Sequence, residues 1–252
     1  MYETLRVNRQ DSICHLQLHR PEAGNAINAT LIAECRDVLE RHRESATVVV
    51  LEGLPDVFCS GADFAAVVAG RGVEAGDPGP LYDLWLDLAT GPFVTIAHVR
   101  GKANAGGIGF VAACDIALAD ETARFGLSEL LFGLLPACVL PFLIRRTGLQ
   151  KAHYLTLTTQ PISSPEAWRY GLVDAYDSRS DDLLRRHLLR LRRLSKPAVA
   201  RYKHYVSALD PGLTGARGAA LAANREVFSD PDNLDAIARF VQTGELPWER
   251  GA

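Results

Sequence analysis

The stretch GKANAGGIGF, residues 101–110, places Gly101, Gly106, Gly107 and Gly109 within ten residues, shortly after the apolar run FVTIAHV (93–99). Glycine at this density is costly inside a regular element, so the backbone here takes positive φ or approaches another group closely. A phosphate, a dinucleotide and an acyl oxygen are the candidate groups. A Walker loop needs glycine five residues before the Gly-Lys pair and Ser or Thr after it. Ile96 and Ala103 hold those places, so the phosphate-loop reading fails. Gly107 to Ala112 fits the dinucleotide pattern GxGxxA formally. That pattern belongs in a tight turn directly after a strand, in the βαβ unit that opens a chain, and neither condition holds. A nicotinamide cofactor is not expected.

The surrounding chain has the composition of a globular protein. Its 252 residues are 48% apolar and 23% charged, with a net charge of −3. A chain this long buries a substantial core, and its charge offers no general attraction to nucleic acid or anionic membrane. No run reaches membrane-spanning length without a charge or glycine. Five scattered cysteines, Cys14, Cys35, Cys59, Cys114 and Cys138, form no CxxC pair. They suit a reducing cytoplasm rather than a disulfide or zinc framework.

Periodicity supplies the elements. ETLRVNR and SICHLQLH alternate apolar and polar residues, predicting a hairpin turning at Gln10–Asp11. NATLIAECRDVLERHRE opens on the N-cap candidate Asn28 and lines Leu31, Ile32, Cys35, Val38 and Leu39 along one helix face. ATVVVLEG, FVTIAHV and CDIALAD read as short buried strands, separated by helical segments, which predicts parallel neighbours. From about Pro136 the chain reads as mostly helical, with breaks at Pro161, Gly171, Pro197 and Pro211. AGRGVEAGDPGP (69–80) reads as a mobile surface loop or lid.

A second small-residue loop, DVFCSGADF (56–64), follows the strand ATVVVLEG. Ser60, Gly61 and Ala62 leave backbone N–H groups accessible there, and Asp63 can cap a following helix. Two loops of this kind can aim two N–H groups at one point, which is an oxyanion hole. The alternative is two unrelated tight turns, and spacing does not decide between them.

Five motifs in order carry a resemblance: NAIN (25–28), FCSGADF (58–64), VRGKANAGGIGF with CDIALAD (99–120), FGLSELLFGLLP (125–136) and SSPEAWRYGLVD (163–174). Together they resemble the crotonase, or enoyl-CoA hydratase/isomerase, superfamily. The resemblance implies an α/β crotonase (ClpP-like) fold, a stacked ββα spiral over residues 1–190 with a C-terminal helical trimerisation region over 191–252. It also implies an acyl-thioester substrate on coenzyme A or an acyl carrier protein, a homotrimer or dimer of trimers, and no metal or cofactor. The two oxyanion donors fall on the backbone N–H groups of Ala62 and Gly106.

General hydratases of the superfamily carry two glutamates. Gly109 stands at the position matching one of them, and Glu129 matches the other. A single glutamate can still remove an α-proton, and burial among LLFGLL would raise its pKa. The stretch 102–146 resembles the branch that dehydrates a carrier-bound 3-hydroxy-3-methylglutaryl group to 3-methylglutaconyl in polyketide β-branching. A companion branch decarboxylates the product, and by resemblance uses a lysine near the mobile loop and a C-terminal histidine. This chain has no lysine between Ser60 and Arg100 and no histidine after His204, so the dehydratase fits better. A coenzyme A hydratase or isomerase of primary metabolism, and a non-catalytic binding subunit, are the alternatives.

Asn104, Lys102, Asp63 and Tyr82 are candidate substrate-binding residues, each with a structural alternative: loop brace, solvated charge, helix cap and core aromatic. Trp85 and Cys138 are candidate pocket walls. The run Arg185–Lys203 holds eight cations and no acid. It reads as a docking surface for an acidic carrier or phosphates, or as a solvated helix face.

Overall fold

The computed structural model describes residues 2–70, 72 and 77–249. In chain order the strands are β1 (Leu5–Gln10), β2 (Ile13–Leu18), β3 (Val48–Glu52), β4 (Val57–Cys59), β5 (Val94–Val99), β6 (Lys102–Asn104), β7 (Ile116–Asp120), β8 (Arg124–Gly126), β9 (Ile162–Ser163) and β10 (Ala175–Asp177). The helices are α1 (Ala29–Arg41), α2 (Phe64–Val68), α3 (Gly79–Thr90), α4 (Gly106–Ala113), α5 (Leu140–Thr147), α6 (Leu149–Thr158), α7 (Ser164–Arg169), α8 (Ser180–Leu191), α9 (Lys196–Leu209), α10 (Gly212–Ser229) and α11 (Pro231–Thr243).

The strands form two sheets, one ordered β1-β2-β3-β5-β7-β10 and the other β4-β6-β8-β9. Each turn of the chain gives one strand to the large sheet and the next to the small one: β3 then β4, β5 then β6, β7 then β8. Helices follow before the chain returns, so the turns stack as a spiral of ββα units. Neighbouring turns pair in parallel in both sheets. The expected hairpin and parallel strands are present, and Asn28 caps α1 by accepting from the Leu31 N–H at 2.8 Å.

The three-residue strands of the small sheet were not legible, because so short a run shows no periodicity. The region after Pro136 is mostly helical, as expected, and also contains the short strands β9 and β10. Pro197 does not break a helix; it sits in the first turn of α9, where its missing N–H costs nothing. Of the stretch 69–80 read as a mobile loop or lid, residues 71 and 73–76 lie outside the described residues. Its downstream end is held, with Asp77 accepting from the Gly79 N–H and from Arg225.

The large sheet is covered on both faces. Val49, Leu51, Ala97, Val99, Ala117 and Ala119 point into the main core with α1, α3 and α4. The alternate residues Val48, Val50, Ile96 and Leu118 pack against Leu183 and Leu184 of α8. Among the described residues no helix is long and apolar enough to cross a membrane.

Candidate active site

The small sheet builds the site. β4, β6 and β8 run parallel, with Cys59 opposite Ala103 and Asn104 opposite Gly126. Their C-terminal ends therefore emerge side by side, where ligands gather in parallel α/β sheets. The three segments leaving those ends carry Ala62, Gly106 and Glu129. All three residues line one cavity of about 570 Å³.

The NAIN segment holds the first loop. Asn25 is fully buried; its carbonyl accepts from the Arg20 N–H at 2.7 Å and its amide donates to Phe58 O at 3.0 Å. Ile27 donates to Gly61 O at 2.8 Å and accepts from the Asp63 N–H at 3.2 Å. In this parallel bridge the Ala62 N–H faces away from Ile27, leaving it available to the cavity. Asp63 then caps α2, accepting from the Ala66 N–H at 3.0 Å.

The second loop turns at Ala105, whose φ of 50° is strained for a residue with a Cβ. That turn starts α4 at Gly106, whose N–H belongs to the first turn and has no carbonyl within the helix to receive it. The two loops touch: a Cβ on Gly61 would lie 3.5 Å from the Gly106 nitrogen, and one on Gly106 would lie 3.8 Å from Gly61 Cα. Two backbone donors thus stand at the meeting point of two strand ends, one of them at the positive end of a buried helix.

Glu129 opens a short 3₁₀ turn after β8, which ends at Gly133 with φ 72°. Its Oε2 is buried without a hydrogen-bond partner among the described residues. Burial raises the carboxyl to about 7, against the opposing pull of the backbone N–H groups of Glu129 and Ser128. A carboxyl with that affinity for protons can both take and return one near neutral pH.

The space beside Gly109 explains the missing second carboxylate. A Cβ there would stand 2.4 Å from Trp85 Cζ2 and 2.6 Å from Cη2. The buried indole of α3 occupies the place a longer side chain would need, and Trp85 lines the cavity.

The family whose model describes enoyl-CoA hydratase/isomerase matches residues 8–251. The chain belongs to that family. It is 60% identical to the bacillaene synthase dehydratase PksH of Bacillus subtilis (strain 168), over 98% of this chain and 97% of that protein. The crystal structure of pksH from Bacillus subtilis superposes with a TM-score of 0.94 at 58% identity, covering 98% of this chain and 100% of that one. Pseudomonas aeruginosa AtuE superposes with a TM-score of 0.78 at 30% identity, covering 98% and 100%. The spiral described above is the crotonase fold.

Within this crotonase the other candidate residues separate. Asn104 lines the cavity but spends its amide on braces, donating to Ser128 Oγ at 2.9 Å and to Ser60 O at 3.4 Å. It ties the Ala62 loop to the segment that carries Glu129. Lys102 is exposed at the rim. Asp63 faces the cavity with its carboxylate engaged by the α2 cap and by Arg20 at 3.1 Å, so it acts as a cap rather than a substrate ligand.

Tyr82 requires correction. It is fully buried off the cavity and donates to Leu213 O at 2.6 Å, where it packs as a core aromatic. The basic run lies outside the cavity. α8 covers the sheet face opposite the main core, Arg186 pairs with Asp177 at 3.0 Å, and Lys196 donates to the Ala46 and Pro92 carbonyls. Lys203 is buried and paired with Asp115. Two of the eight cations are thus structural, and none of the eight lines the cavity.

Sequence reasoning missed the cavity roof. Asn224 and Phe228 of α10 and Phe240 of α11 line it, with Phe240 edge-on to Phe132 at 5.2 Å between centroids. The amphipathic spacing of those helices was visible, but nothing in it named what the apolar face would cover.

Proposed function

We propose that this protein is a dehydratase of polyketide assembly, acting on a 3-hydroxy-3-methylglutaryl thioester carried on an acyl carrier protein and yielding 3-methylglutaconyl. The thioester oxygen lies between the N–H groups of Ala62 and Gly106, which hold the negative charge that develops as the α-proton leaves. Such donors act without reorganising during the reaction and carry much of the barrier. Glu129 takes the C2 proton and returns it to the departing C3 hydroxyl, a syn elimination with one carboxylate.

The observation that supports this reading is the buried Glu129 carboxyl, its Oε2 without a partner among the described residues, in the same cavity as Ala62 and Gly106. Trp85 at Gly109 leaves no room for a second carboxylate, which sets the chain apart from the two-glutamate hydratase pattern. The 60% identity to a bacillaene synthase dehydratase supports the reaction and its biosynthetic setting. The family's thioester chemistry supports a carrier-bound acyl group, and the trimer is expected on the same ground.

Incubating the protein with carrier-bound 3-hydroxy-3-methylglutaryl and weighing the acyl chain tests the reading. Loss of one water is the expected result. Turnover of free coenzyme A thioesters alone would favour a hydratase or isomerase of primary metabolism. No turnover of either would leave a binding subunit.

A further inference from the structure

Among the described residues, Lys102 is the one cation that lines the cavity, and its ammonium makes no hydrogen bond or ion pair there. β6 alternates: Ala103 is fully buried, while Lys102 and Asn104 on the other face both line the cavity. The acids of the lining are already committed. Asp63 is held by Arg20 and the α2 cap, Glu22 lies 3.7 Å from Arg20, and Glu129 is the base. Much of the remaining wall is apolar, with Phe64, Leu131, Phe132, Phe228 and Phe240 among it. On the neighbouring strand Arg124 stands in register with Lys102, its guanidinium donating to the Thr122 and Ala123 carbonyls at 3.1 and 3.0 Å. Like charges side by side on paired strands repel, and an anion brought to Lys102 relieves that repulsion.

We propose that Lys102 is a specificity-determining residue, its ammonium pairing at the cavity rim with the distal C5 carboxylate of the acyl chain. This rests on the dehydration reading above. A strand advances about 3.3 Å per residue, so the Lys102 Cα lies about 7 Å along β6 from Asn104, where the chain turns to the Gly106 donor. A lysine side chain spans about 6 Å from Cα to Nζ, and a glutaryl chain about 5 Å from C1 to C5. With C1 at the Ala62 and Gly106 N–H groups, C5 therefore comes within reach of Nζ. Turned instead against the apolar wall, the carboxylate would be buried with no cation to pair it, a costly arrangement. Lys102 takes no part in the proton transfer. The carboxylate persists from substrate to product, so the pairing is uniform along the reaction and shows in KM rather than kcat.

The test compares two acyl groups on the same carrier protein, 3-hydroxy-3-methylglutaryl and its C5 carboxamide, which has the same shape without the charge. The unmodified protein should favour the acid in kcat/KM by about 5–50-fold, a range set between an exposed ion pair and a charge-assisted hydrogen bond. Lys102→Met should lose that preference, mainly through KM, while the amide changes less than threefold. Lys102→Arg, which keeps the charge, should retain most of it. Equal losses on acid and amide would overturn the proposal by assigning Lys102 to a group both substrates share, such as the phosphate of the carrier arm. Unchanged kinetics in Lys102→Met would overturn it as well, leaving a solvated charge.

A binding measurement separates this proposal from the function it rests on. The carrier-bound 3-methylglutaryl group and its C5 carboxamide lack the hydroxyl and cannot lose water. Titration calorimetry should show the unmodified protein binding the acid more tightly than the amide, and Lys102→Met binding the two alike. Equal binding by the unmodified protein would overturn the pairing with Lys102. Failure of the unmodified protein to dehydrate its substrate, with the binding difference intact, would instead overturn the dehydration reading.

Discussion

Replacing Glu129 by glutamine should move activity and stability in opposite directions. The carboxyl rises from 4.5 to about 7 because folding removes it from water, with Oε2 left unpartnered. The folded state therefore binds this proton more tightly than the unfolded chain. Below pH 4.5 both states hold it and the residue costs nothing. As pH rises toward 7 the unfolded carboxyl ionises first and folding is progressively penalised. At about 1.4 kcal/mol per unit, the penalty reaches roughly 3 kcal/mol by pH 8 and is under about 1 kcal/mol at pH 5. Glutamine has no charge to desolvate, so Glu129→Gln should gain about 1–3 kcal/mol at pH 8 and much less at pH 5. Its turnover should fall by about two to four orders of magnitude, the scale of a lost general base. Urea unfolding at both pH values and mass-detected dehydration measure the two effects. The unmodified enzyme should also lose kcat/KM as pH falls through about 7, where the base becomes protonated. An active glutamine variant would remove Glu129 from the mechanism. A stability gain independent of pH would refute the burial argument.

Gly106→Pro should cost at least about two orders of magnitude in kcat, because it deletes an oxyanion donor. Gly106→Ala keeps the N–H and presses only on the end of the Ile27 side chain, at 2.7 Å, so it should lose far less; equal kinetics in the two folded variants would exclude that donor. Gly109→Ala should destabilise by about 1–3 kcal/mol, since its Cβ meets a buried indole that has nowhere to go; an unchanged melting temperature would show that Trp85 is mobile. Light scattering at micromolar concentration should give the mass of a trimer or hexamer, and a monomer mass would defeat that expectation.

Much of this molecule was legible in its chain. Alternation marked β1 and β2, the apolar face of 29–41 marked α1, and a capping asparagine at 28 marked its start. These are local properties, set by how neighbouring residues prefer φ, ψ and water, so they survive reading in one dimension. Glu129, Ala62 and Gly106 came forward as candidates only through the resemblance carried by five motifs in order, since spacing by itself left the two loops as possible unrelated turns. The sign of the Glu129 shift was also anticipated from its apolar neighbours, and the enclosed carboxyl bears it out.

What tertiary structure alone decided concerns groups far apart in sequence. Tyr82 and Trp85 are three residues apart on one helix, yet one is sealed in the core and the other walls the cavity. Their common apolar character could not separate them; the packing of α3 against α4 and α10 did. The absence of a carboxylate at 109 was visible, but not its cause, which is an indole from 24 residues upstream lying 2.4 Å from a Cβ that glycine does not have. The cations of 185–203 looked alike in sequence, and only the fold sent Lys203 inward to Asp115 while placing α8 across the sheet from the site. Local propensity determines elements, but which atoms share a cavity depends on contacts made after the elements have packed.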